Sequence, residues 1–231
     1  MIQTAATQLS LTRPTSVIGN QDPQVQELLS FANESGQDMA VSFPWQKLRR
    51  EQTFLSTATY AQTNYEPAAY NEYNGMIATS LFDRTMQRPI QGPITPTQWQ
   101  ARLAYVIVGT IDYWYTFRDQ QMLVTPLMPA GDTLAFEYFS KNWCESSVGV
   151  EQSEWTLDTD VGILDERLMR FDLMWRWAAA KGLPTAGVLK AKFDDAFSKM
   201  TAKQDPAPTL QIGYRGRMYW YPNVPQTGFG S

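Results

Sequence analysis

Four carboxylates, Asp158, Asp160, Asp165 and Glu166, crowd the start of DTDVGILDERLMRFDLMWRWAAAKG, ahead of an apolar, tryptophan-rich run. Clustered acids can divide general-acid and general-base work at a glycosidic bond, or hold a hard cation through their oxygens. A glycosidase needs its two carboxyl groups facing each other across roughly 5–9.5 Å, and this run supplies no opposing wall. As a calcium loop, DTDVG has its glycine one position early and lacks the later glutamate. The same acids suit the start of a helix, where they meet its partial positive charge, with Asp160 as the cap. Leu164, Leu168, Phe171, Trp175 and Ala178 then step by three and four along one stripe. Glu166 with Arg170, and Asp172 with Arg176, are spaced to pair on the exposed face for about 0.3–0.5 kcal/mol each. Lys181 and Gly182 supply a cationic last turn and a stop.

The rest of the chain narrows the chemistry further. It contains no histidine, which removes Ser-His-Asp and Cys-His catalysis, HExxH zinc sites and the commonest general base. Neither a GxxxxGK[ST] cradle nor a GxGxxG turn occurs, so the usual nucleotide chemistry has no support, and no cofactor, metal or catalytic residue is assigned. A net charge of −4 argues against a surface built to grip nucleic-acid phosphates. The single cysteine, Cys144, fits a chain kept in a reducing compartment. The start, MIQTAATQLSLTRP, lacks the pattern of a signal peptide, and no window has the apolar length of a membrane span.

The elements that must position any site read as α+β. In GNQDPQVQELLSFANESGQDMAVSF, Asp22 caps and Pro23 opens a helix with Val25, Leu28, Ala32, Gly36, Met39 and Phe43 on its stripe, ending near Pro44. From REQTFLSTATYAQ the texture changes to strand, and four to six strands are expected. LFDRTMQRPI can form a hairpin or an extended ribbon around Asp83 and Arg84, and Pro89 makes its far arm an edge. Thr95, Pro96 and Gln98 open a short helix with a capping box. Two strands flank a turn from Arg118 to Gln121, and a third follows Pro129-Ala130-Gly131-Asp132 with Leu134, Phe136 and Tyr138 on one face. After Pro184 a helix carrying Ala186, Leu189, Phe193, Ala196 and Met200 completes an αα-hairpin.

Taken in order, GNQDPQVQELLSFANESGQDMAVSFPWQKLRREQTF, RPIQGPITPTQWQA, PAGDTLAFEYFSKNWC and DTDVGILDERLMRFDLMWRWAAAKGLP resemble the landmarks of head-to-tail adaptor (connector) proteins of tailed bacteriophages, especially short-tailed ones. The similarity covers roughly Val17 to Asp205 and rests on several soft motifs, none of them catalytic. It implies a small α-helical bundle, made of the N-terminal helix and the C-terminal αα-hairpin, with an inserted β-rich domain and an extended C-terminal arm. The expected division is an arm over 1–16, the bundle over 17–50 and 158–205, the β-rich domain over 51–157 and a second arm over 206–231. It also implies a ring, usually dodecameric, that joins the portal protein to the tail nozzle or tube protein. Genomic double-stranded DNA passes through such a ring without sequence-specific binding. The expected place is the virion, at the head–tail interface, with assembly in the host cytoplasm and no membrane.

The residues most suited to partner contact are aromatic and cationic. In the C-terminal DPAPTLQIGYRGRMYWYPNVPQTGFGS, Tyr214, Arg215, Arg217, Tyr219, Trp220 and Tyr221 are typical interface anchors, although they also suit packing on their own domain. In DYWYTF, Tyr113, Trp114, Tyr115 and Phe117 put aromatics on both faces of one strand. That fits burial by a neighbour as well as by its own domain, with Trp114 the candidate contact, and it also fits a carbohydrate-binding face. The competing functions are therefore a carboxylate-based virion glycosidase and a carbohydrate-binding module. The other tryptophans, Trp45, Trp99, Trp143, Trp155, Trp175 and Trp177, read as core or interface residues.

Overall fold

The structure is a computed structural model that describes residues 1–204 except 64, 73, 74, 105–111 and 120. It mixes helices with antiparallel sheets. Asp22 caps α2 (Pro23–Ser42) by accepting the Gln24 N–H at 2.9 Å, and Pro23 stands at the helix start. The expected stripe is buried from Val25 through Met39. The chain leaves helical geometry at Phe43, as the residue before Pro44 must. The first sixteen residues, expected to be an arm, contain α1 (Ile2–Gln8) instead. Its Ile2, Ala5 and Ala6 are buried, since spacing of three and four gives even this short, largely polar segment an apolar face.

Helix α4 (Glu166–Ala180) begins later than expected. Asp165, not Asp160, is its cap, and its carboxylate accepts from the N–H groups of Arg167 and Leu168 at 2.9 and 3.0 Å. The reason lies upstream: Val161–Gly162 is a strand, so the backbone is extended where an Asp160-capped helix would start. The buried face is also wider than the expected stripe. Leu168, Met169, Asp172, Leu173, Met174, Trp177 and Ala178 are buried, while Phe171 and Trp175 are only half-covered. Contacts of α4 with α1, α2 and α5 (Ala186–Gln204) surround more than one stripe. Gly182, at φ +65°, ends α4. Its N–H reaches Ala179 and that of Leu183 reaches Ala178, the paired closure of a Schellman motif. The helix after Pro184 packs against α4 as a hairpin, with Leu189, Phe193, Ala196, Phe197 and Met200 half-buried against the core.

Neither expected exposed pair on α4 holds as drawn. Glu166 approaches the N-terminal amine at 3.8 Å and accepts from Gly162, so Arg170 gains no bridge from it among the described residues. Asp172 does pair with Arg176, but in the interior. Its carboxylate is 1% exposed and accepts from Arg176 Nε at 2.9 Å and Trp175 Nε1 at 2.7 Å. Arg176 also reaches Glu34 and Asp38 of α2 at 2.9 and 2.8 Å, so one guanidinium clamps two helices.

Ten strands are found among the described residues, more than the expected four to six, because six of them are only two residues long. One sheet has the order β1-β7-β3-β4, from β1 (Arg49–Leu55), β7 (Thr133–Phe139), β3 (Phe82–Asp83) and β4 (Arg88–Pro89). Of the hairpin and the extended ribbon open to this segment, the β3–β4 hairpin forms, with Asp83 paired to Arg88, and Pro89 lies in the edge strand. A second sheet runs β2-β6-β5, from β2 (Ala61–Gln62), β6 (Gln121–Thr125) and β5 (Trp114–Arg118). The third is β10-β8-β9, from β8 (Cys144–Glu145), β9 (Glu151–Gln152) and β10 (Val161–Gly162). Helix α3 (Pro96–Ala104) has its reciprocal capping box: Gln98 N–H to Thr95 Oγ1 at 3.3 Å and Thr95 N–H to Gln98 Oε1 at 3.0 Å.

Two apolar clusters hold these elements. One joins α1, α2 and α4 with Trp45, Leu48, Trp143, Cys144 and Trp155, and α5 packs on its flank. The other is built from residues between Phe54 and Tyr138. Trp143, Cys144 and Trp155, expected within the β-rich domain, thus belong with the helices. Trp143 is their anchor: it is fully buried, stacks edge-on against Trp155 at 5.0 Å, and lies over Gly36 of α2.

Candidate functional site

Each carboxylate of the acidic run has a partner, although at Asp160 only Oδ2 accepts and Oδ1 is buried without a hydrogen bond among the described residues. Asp158 accepts the N–H groups of Val17 and Ile18, at 2.9 Å for Ile18, and these bonds hold its carboxyl below the usual range. Asp160 accepts from Thr156 and Leu157 at 2.8 Å. Burial pushes its carboxyl up, but the N–H groups of Leu157 and Thr156 outweigh that and the net direction is down. Both groups are therefore better hydrogen-bond acceptors than proton donors. With Glu166 they line a depression bordered by Met1, Ile18 and Trp155. The described residues contain no cluster of His, Cys, Asp and Glu suited to a metal ion. The run ties loops and the chain start to α4, which is chemistry of folding.

Of the proposed partner-contact residues, only Trp114 can be placed. Tyr214, Arg215, Arg217, Tyr219, Trp220 and Tyr221 lie outside the described residues. Trp114 is half-buried on β5, and the Arg102 guanidinium of α3 stacks 3.2 Å from its ring centre. Tyr113 and Tyr115 face the other way into the second core, and Phe117 on that side is 39% exposed. The strand is thus covered on both faces, but the cover over Trp114 comes at least partly from its own α3. Beside β5, Gln91 exchanges hydrogen bonds with Tyr113 and Tyr115 at 2.9 Å, so that edge is closed.

Two further groups were not legible as a pair in the sequence. Asp83 is fully buried and Asp132 nearly so, and Arg88 approaches Asp83 at 3.7 Å while stacking on Tyr113 at 4.2 Å. Burial raises the Asp132 carboxyl, the neighbouring Asp83 charge adds to that, and Arg88 opposes it. Asp83 sits in β3 and Asp132 in the turn before β7, and strand pairing alone brings them together. The single thiol, Cys144, is buried, and desolvation pushes it up to about 12. It donates to the carbonyls of Gln152 and Glu154. No helix among the described residues is long and apolar enough to cross a membrane.

No family model and no curated protein matches the chain.

Proposed function

We propose that the protein is a structural head-to-tail adaptor of a tailed bacteriophage, whose copies form a ring between the portal and the tail nozzle or tube. The observation that carries this reading is the division of the interior. Helices from the two ends of the described chain share one apolar cluster, while the residues between Phe54 and Tyr138 fill a second. Two such clusters support a helical bundle with an inserted β-rich domain, the arrangement that the resemblance implies. The occupied carboxylates of the acidic run favour it over a virion glycosidase. In this reading the anchors Tyr214, Arg215, Arg217, Tyr219, Trp220 and Tyr221 reach the portal or a neighbouring copy, and Trp114 borders a subunit contact. The net charge of −4 suits a channel through which a duplex slides without sticking.

The test is assembly. Sedimentation and negative-stain imaging of the protein alone should give a monomer or small oligomer, and addition of the portal protein from the same genome should give a ring. Docking on a multivalent rim raises the effective concentration of neighbouring copies. A chain that neither binds that portal nor forms a ring on it refutes the reading, and a stable ring without portal refutes the templated order. Exchanging Trp220 and Tyr221 for alanine should lower portal attachment at least tenfold, since such anchors each contribute about 1–4 kcal/mol on truncation.

A further inference from the structure

Strand register puts Asp83 and Asp132 on one face of one sheet. Asp83 pairs with Leu134 across β3 and β7, and beyond it the Arg84 N–H reaches the Thr133 carbonyl at 2.8 Å. One step further along, Asp132 becomes the diagonal neighbour of Asp83, about 7–8 Å away between backbones and closer between side chains. Phe82 is exposed and Asp83 fully buried, so the alternation of the strands places both aspartates on the inner face.

Each aspartate has an oxygen without a hydrogen bond. Asp83 Oδ1 accepts the Met86 N–H at 2.9 Å, which closes the turn of the β3–β4 hairpin. Asp83 Oδ2 and Asp132 Oδ2 are both buried and accept nothing among the described residues. A buried oxygen without a donor is costly, and a charged one more so. The charges around them do not balance either. Arg88, opposite Asp83 on β4, stands 3.7 Å from Asp83 Oδ2 and stacks on Tyr113. The end of β1 brings only the uncharged Ser56 to this corner, and Arg84 is exposed and paired with Glu51. Two carboxylates against one guanidinium leave a single negative charge uncompensated in the interior, and one added proton cancels it.

We propose that Asp83 and Asp132 share one proton, which latches the 129–132 turn to the β3–β4 hairpin. The Asp132 carboxyl O–H donates to Asp83 Oδ2, so one bond satisfies both orphaned oxygens while Arg88 balances the charge that remains. The two groups then titrate as a pair. Burial and the Asp83 charge both raise the Asp132 carboxyl against the opposing Arg88, in the direction that sharing demands. An exposure of 6% at Asp132 leaves the proton a way out to water. Once it has left, the two carboxylates repel and Asp132 turns outward. The backbone bonds at stake are Ser56 N–H to the Asp132 carbonyl and Gly131 N–H to the Ser56 carbonyl, at 2.8 and 3.0 Å. The latch is therefore closed at low pH and loosens as pH rises.

The experiment is a pH titration of the full-length chain by NMR, following side-chain carboxyl carbons and amide hydrogen exchange. The carboxyl carbons of Asp83 and Asp132 should report a common, raised midpoint. Protection at Ser56 and Gly131, corrected for intrinsic exchange, should be full below the ordinary aspartate range. It should fall by up to about tenfold per pH unit from there to the raised midpoint and level above it. Gln52 and Phe136, opposite each other deeper in the ladder, should keep theirs. Asp132→Asn puts a permanent donor beside Asp83 and should make protection at Ser56 and Gly131 independent of pH, and Asp83→Asn should lower the Asp132 midpoint. An Asp132 carbon that titrates while that of Asp83 stays still overturns the proposal. So does a midpoint that Asp83→Asn leaves unmoved, or protection at Ser56 and Gly131 that ignores pH in the unaltered chain. Should Asp83→Asn not fold, the carboxyl shifts of the unaltered chain decide. Neither portal nor ring enters the measurement, so the outcome is independent of the adaptor reading.

Discussion

Replacing Gly36 with alanine should destabilise the protein, although in most helices the same change stabilises it. Alanine at an interior helix position is favoured over glycine by about 0.8–1 kcal/mol. Here the added Cβ would stand 2.3 Å from Cε2 and 2.4 Å from Cδ2 of Trp143, where carbon atoms in contact normally keep about 3.5–4 Å. The ring cannot easily retreat: Trp143 is fully buried and held edge-on by Trp155 at 5.0 Å. Overpacking of this kind costs typically about 1–3 kcal/mol, and a shift of more than an ångström in a rigid ring belongs at the top of that range. The net loss is about 2 kcal/mol, or about 4–8 °C in Tm for a chain of this size. Gly187, near the start of α5, is the control, because its Cβ would meet nothing within 4 Å. There the change should gain about 0.5 kcal/mol. Scanning calorimetry and urea titration of both variants test the pair. If Gly36→Ala is neutral or stabilising while Gly187→Ala behaves as expected, α2 and Trp143 are not packed as described.

Three further outcomes follow from buried groups. Arg176→Ala should cost about 3 kcal/mol in urea unfolding by leaving Asp172 uncompensated in the interior, whereas Asp38→Ala, at a carboxylate 57% exposed, should cost under about 1 kcal/mol; equal losses would mean that Asp172 is not the key partner. Asp132, its folded pKa raised chiefly by burial, contributes stability that is complete below its unfolded pKa and is lost as pH rises through the folded one. Asp132→Asn should remove that fall and raise the urea midpoint at pH 7 relative to the unaltered chain, and identical pH profiles for the two chains would contradict the assignment. The Cys144 thiol, pushed up to about 12, should react with a disulfide reagent at pH 8 only at the rate of unfolding, so fast reaction of the native chain would show it accessible.

Short-range features were legible in the sequence because their partners lie within a few positions. The Asp22–Pro23 start of α2, the Thr95–Gln98 capping box and the Gly182 stop all formed as their residue types dictate. The α+β class followed from the same signals, because helical and alternating periods are written locally. What pairing across the chain decides was not legible. Asp158 spends its oxygens on Val17 and Ile18, 141 and 140 positions away, and Val161–Gly162 joins β8, so the cap of α4 moves to Asp165. Nothing local in the first sixteen residues announced that Ile2, Ala5 and Ala6 would find a core, since that core is made by α2 and α4. The α4 stripe widened and Asp172 went inside for a related reason: burial depends on how many neighbours surround a helix, and Arg176 keeps the charge tolerable only once α4 and α2 are side by side. The edge position of β1 is likewise a property of strand order, and its residue types would look the same with a strand on either side.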